Sequence, residues 1–110
     1  MRILLCLLTL GLGLGAGVAG AAETGEFKLV IQNHQFVPAE IKVPAGQKIK
    51  LIVENKDASA EEFESYELNR EKVVSGNATI TVFVGPLDKG RYAFFGDFHQ
   101  DSAQGVLVVD

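Results

Sequence analysis

Two short runs of this sequence hold the side chains that could do chemistry. The first is Glu61-Glu62-Phe63-Glu64. On a strand, Glu62 and Glu64 share one face, and Phe63 between them points to the other and into a core. Carboxylates crowded on one face repel unless a cation or basic group lies between them. Glu62 and Glu64 are therefore candidate metal ligands; the plainer alternative is an edge strand that carries charge against aggregation. The second run is Gly96-Asp97-Phe98-His99, where Asp97 stands two residues before an imidazole. Carboxylates with one imidazole suit iron, manganese, zinc or copper(II), so Asp97 and His99 join the candidate set. Glu61, Glu67 and Glu71 read as solvated. Glu61, His34 and Asp101 stand as outlying candidates, with His34 on the first strand as a hydrogen-bonding strand-end residue and Asp101 as a turn residue.

Other chemistries find few residues here. The chain has one cysteine, Cys6, and one methionine, Met1, and both fall in an apolar leader. The expected mature chain thus has no thiol for a disulfide, a nucleophile or a metal. With two histidines, no Ser-His-Asp order and no phosphate-cradling glycine loop, an enzyme is not expected. The net charge of −4 becomes about −5 when Arg2 leaves with the leader. No basic cluster points to nucleic acid or anionic lipid.

The elements that must position these residues are strands. Alternation of apolar and polar residues runs through Phe27–Ile31, Ile41–Val43, Ile49–Val53 and Ile80–Val84, then through Tyr92–Phe94 and Val106–Val109. Turn residues punctuate it at Pro38, Pro44-Ala45-Gly46, Asn55-Lys56-Asp57, Ser75-Gly76-Asn77, Gly85-Pro86 and Lys89-Gly90. Seven to eight short strands at such spacing predict one all-β sandwich or small barrel. Residues 1–22 read as a secretory signal peptide, with Met1-Arg2, an apolar stretch to Val18 and small residues before Glu23. An uncleaved anchor is the alternative, disfavoured by the short, Gly-interrupted apolar run. The mature domain is expected over 23–110, exported by this signal, with no membrane span after cleavage.

Two segments carry a family likeness. Gln35-Phe36-Val37-Pro38-Ala39-Glu40-Ile41-Lys42-Val43-Pro44-Ala45-Gly46 resembles the opening of small periplasmic cupredoxins, and Asn55-Lys56-Asp57 their next turn. Leu87-Asp88-Lys89-Gly90-Arg91-Tyr92-Ala93-Phe94-Phe95 resembles the lead into their copper loop. The resemblance implies a cupredoxin-like Greek-key β-sandwich. It also aligns Gly96 with the copper-site cysteine, Ala103 with the methionine and Ala60-Glu61-Glu62 with the other histidine, so only His99 of four expected ligands remains. A blue-copper site needs a thiolate with two imidazoles, and no type 1 copper is expected. The acidic run 61–74 and the loop 96–99 are similar to those of the EfeO-type cupredoxin-like group. That likeness implies a periplasmic metal-binding accessory protein of iron uptake, holding or passing iron or copper(II), with an iron permease or periplasmic iron-binding protein as partner. The alternatives are a metal-free interaction module that docks such a partner and, with less in its favour, a copper-dependent ferrous iron oxidase.

Overall fold

β-branched and aromatic residues dominate the alternating segments, and such side chains fit a pleated, half-buried surface. In the computed structural model, which describes residues 24–110, these segments are strands: β1 (Thr24–Gln32), β2 (Gln35–Val37), β3 (Glu40–Val43), β4 (Lys48–Asn55), β5 (Glu61–Ser65), β6 (Arg70–Val74), β7 (Thr79–Val84), β8 (Gly90–Gly96) and β9 (Gln104–Val109). The signal-peptide reading, its junction with the domain, and Cys6 lie outside the described residues. The strands form two mixed sheets, a four-stranded one in the order β2-β1-β4-β7 and a five-stranded one in the order β3-β9-β8-β5-β6. Two pairings, β1 with β4 and β3 with β9, are parallel, and the others are antiparallel. This is the all-β sandwich expected, with nine strands rather than seven to eight.

The added strand comes from a turn that the sequence marks weakly. Asn33 and His34 both take left-handed backbone conformations, with φ of 55° and 58°. The chain therefore folds back on itself, and Gln35–Val37 pairs with the end of β1. His34 lies in this turn and not on the first strand. Asp57 holds the turn by accepting hydrogen bonds from the backbone N–H of Asn33 (2.8 Å) and His34 (2.9 Å).

Leu29, Ile31, Leu51 and Val53 from one sheet meet Phe63, Phe94, Leu107 and Val109 from the other, all buried. Phe63 and Phe94 stack with ring centroids 5.2 Å apart, and Phe36 meets Phe94 edge-on at 5.0 Å. Each fully buried side chain of this size contributes roughly 1.5–3 kcal/mol relative to exposure. The seam between the sheets is closed at β6 and β7. Arg70 Nε donates to the carbonyl of Phe83 (2.7 Å), and Lys72 Nζ donates to that of Thr81 (3.0 Å). β6 thus turns its basic residues toward the other sheet and leaves Glu71 and Val73 on the outer face. Among the described residues no helix is long and apolar enough to cross a membrane.

Candidate metal centre

β5 begins at Glu61, and from there period two dictates the two sides of the strand. Glu61, Phe63 and Ser65 are buried, while Glu62 and Glu64 are half-buried on the outer face. β8 ends at Gly96, and the chain enters a short 3₁₀ helix, Asp97–His99. The loop closes on itself: the carbonyl of His99 accepts from the N–H of Ala103 (2.8 Å), and that of Ala103 accepts from the N–H of Gly96 (2.8 Å).

On the outer face, one carboxylate oxygen each from Glu62, Glu64 and Asp97 lie within 4.8 Å of one another. Gln100 Nε2 donates to Asp97 Oδ1 (2.7 Å) and steadies it. Glu71 stands opposite Glu64 across the β5–β6 pairing. Partial desolvation, then the Glu71 charge, then Asp97 and Glu64 raise the Glu62 carboxyl above the usual glutamate range. Partial desolvation, then Glu71 and Asp97, do the same to Glu64. Mutual repulsion of this kind marks a place where a cation is favoured. Beside the cluster lies an open hollow of about 270 Å³ lined by Glu64, Ser65, Tyr66, Asn69, Arg70 and Glu71. Of its lining residues Tyr66 is the most open large side chain, 76% exposed.

The inner side of the same strand is occupied differently. Glu61 is 1% exposed, and all its hydrogen bonds are internal. Its Oε1 accepts from the N–H of Glu62 (2.9 Å) and of Phe98 (2.8 Å), and its Oε2 lies 2.6 Å from His99 Nδ1. The His99 ring stacks on that of His34, centroids 3.6 Å apart and planes 11° from parallel. His34 is held in turn by Ser102 Oγ, which donates to its carbonyl (2.6 Å).

The candidate residues therefore divide. Glu62, Glu64 and Asp97 come together. His99 does not join them: it faces Glu61, because residues two apart along a 3₁₀ turn stand roughly 120° apart around its axis and so point to different sides. His34 lies against His99, and Asp101 is exposed in the following turn, outside the acidic group. Glu61 is not solvated. The period-two argument that places Phe63 in the core also places Glu61 on the inner side, once the strand is known to begin there. Glu71 is exposed, as its solvated reading expects, and its part in the acidic face follows from β6 pairing with β5.

The residues present do not fit type 1 copper. A Cβ built on Gly96, the position aligned with cysteine, would stand 2.6 Å from Glu61 Cδ and 2.7 Å from Ala103 Cβ. The space a thiolate would need holds a carboxylate, and stacked parallel imidazoles do not direct two lone pairs at one ion.

Comparison with known proteins bears on the frame. The chain is 48% identical over 85 residues to an uncharacterized protein of Rickettsia prowazekii (strain Madrid E), a match covering 77% of this chain and 68% of that protein. Among solved structures it is similar to auracyanin A, a blue copper protein of Chloroflexus aurantiacus (TM-score 0.69, 17% identity, 80% of this chain and 100% of that one). It is similar too to the metal-binding domain of a Cu(I)-exporting P-type ATPase of Streptococcus pneumoniae, solved with Cu(I) (TM-score 0.68, 15% identity, 83% of this chain and 99% of that one). At such identities the likeness is one of fold. The sequence profile of the cupredoxin-like domain matches residues 3–109, and the chain belongs to that family.

Proposed function

We propose that this protein is an exported metal-binding accessory protein of iron uptake, which holds or passes a hard or borderline cation at Glu62, Glu64 and Asp97. The observation that carries the reading is the convergence of these three carboxylates within 4.8 Å. Among the described residues none of the three takes part in an ion pair, and the basic side chains of β6, Arg70 and Lys72, bond to carbonyls of β7. Oxygen donors of this kind favour iron, manganese or copper(II) in an oxygen-rich site over copper(I), which prefers sulfur. The iron-uptake setting and the periplasmic location rest on the sequence resemblance and the leader. We read the protein as a binder and not an enzyme, with a permease or periplasmic iron-binding protein as the recipient.

Isothermal titration of the mature protein with iron(II), manganese(II), copper(II) and zinc tests the reading. Binding that is lost in Glu64→Gln and retained in His99→Ala supports the three-carboxylate site. Absence of heat for every ion defeats it. The second reading, a metal-free docking module, draws on the exposed Tyr66, Val73 and Phe98 beside the acidic face, and it would be favoured by that result.

A further inference from the structure

We infer that Glu61 is a positioning residue for the carboxylate cluster: one buried side chain ties the strand that carries Glu62 to the turn that carries Asp97. The inference rests on the cation reading above and concerns a residue on the opposite side of the strand from the site.

The geometry is specific. Glu61 Oε1 accepts two backbone hydrogen bonds, from the N–H of Glu62 at 2.9 Å and from the N–H of Phe98 at 2.8 Å. One donor belongs to a cluster residue, and the other belongs to the residue immediately after Asp97. A single oxygen therefore sets the separation of the two backbones that present Glu62 and Asp97. Ladder pairing of β5 with β8 reaches only Phe63–Gly96 and Glu64–Phe95, so beyond Gly96 this side chain takes over where the sheet stops. The other oxygen, Oε2, meets His99 Nδ1 at 2.6 Å and fixes the far end of the 3₁₀ turn. His99 is itself packed against the His34 ring, which Asp57 and Ser102 hold through the backbone of its turn. Gly96 leaves the room: any side chain there would strike Glu61 Cδ at 2.6 Å. Without the tie, like-charged Asp97 has every electrostatic reason to swing away from Glu62 and Glu64.

Reach and charge can be separated by two substitutions. Glu61→Gln keeps the length, offers one oxygen to both backbone donors and can donate to His99. Glu61→Asp keeps the charge and retracts by one methylene, out of reach of Phe98. The probes are manganese(II) affinity by titration and amide hydrogen exchange at Phe98, with the strand amides reporting an intact fold. Glu61→Gln is expected to bind manganese(II) within about twofold of wild type, and Glu61→Asp to bind roughly tenfold or more weakly, the scale on which supporting residues act on metal sites. Phe98 exchange should accelerate in the aspartate variant alone. The inference is overturned if Glu61→Asp binds like wild type, or if Glu61→Gln loses affinity that Glu61→Asp keeps, since Glu61 would then act by charge. A Phe98 amide that exchanges freely in wild type also overturns it, whatever the variants do. If no form binds manganese(II) while Phe98 protection follows reach, the tie stands and the cation reading falls.

Discussion

Glu61 and Glu62 are neighbours on β5, yet the buried one is at ease and the half-exposed one is under stress. Glu61 is 1% exposed, with two backbone N–H donors on one oxygen and the His99 imidazole against the other. Glu62 has water nearby but faces Glu64, Glu71 and Asp97, and its carboxyl is raised. The difference teaches that burial alone does not decide the cost of a charge. A buried carboxylate surrounded by fixed donors is satisfied, whereas a surface carboxylate among others of its kind is not. The outer face of the four-stranded sheet offers a control. There Glu54 pairs with Lys28 (3.1 Å) and Glu26 with Lys50 (3.5 Å). In the five-stranded sheet Glu40 pairs with Arg91 (3.7 Å), whereas among the described residues Glu62, Glu64 and Asp97 have no ion-pair partner.

The comparison breaks most visibly at Glu61. Glu61→Ala should destabilise the domain by about 3–5 kcal/mol, since it strands two backbone donors and a histidine around a void. Urea unfolding of the mature protein measures this, and a loss below about 1 kcal/mol would mean that water replaces the carboxylate without penalty. Gly96→Ala attacks the same arrangement from the other side. The added methyl group must displace Glu61 or Ala103, and overpacking of this kind costs about 1–3 kcal/mol. Asp57→Ala should be milder, about 1–2 kcal/mol, because it removes two charge-assisted bonds at a half-exposed turn. The N–H groups of His34 and Asn33 hold the Asp57 carboxyl below its usual range, against the opposing effect of partial burial. Its contribution is therefore present above the unfolded-state value and lost as pH falls through the lower folded value.

The smallest effect on stability has the opposite sign and sharpens the contrast. Glu62 and Glu64 titrate above their unfolded values, so the folded state binds more protons in the interval just above the ordinary glutamate range. Stability contributed by these protons is lost as pH rises through that interval. Glu64→Gln should accordingly raise the midpoint of thermal unfolding of the metal-free protein slightly at neutral pH, and should do nothing in acid. Cation affinity should run the other way, rising with pH across the same interval as the carboxyls ionise. Calorimetry at several pH values reads both, and a Glu64→Gln variant less stable than wild type at neutral pH would show that the face is not under repulsion.

Much of this is legible in the sequence. Alternation placed Phe63 inside and Glu62 with Glu64 outside, and it located most of the strands. Three things escaped it, each for a local reason. Ala60 carries no turn signal, so nothing in the sequence marks Glu61 as the first residue of β5. Asn33-His34 turns without glycine or proline, through left-handed backbone that asparagine tolerates. The separation of His99 from Asp97 needed the knowledge that residues 97–99 form a 3₁₀ turn, since an extended loop would have kept them on one side.

The bonds from Arg70 and Lys72 to β7 have a consequence for solubility. β7 is the outermost strand of its sheet, and an exposed strand edge invites another chain to add itself there. Two of its outward acceptors, on Thr81 and Phe83, are already taken by side chains of the same molecule. A stray strand would have to evict two cations before it could zip on, so concentrated protein is guarded against this route to fibrils. Replacing Arg70 and Lys72 together would unlatch that edge, and turbidity on storage would report it.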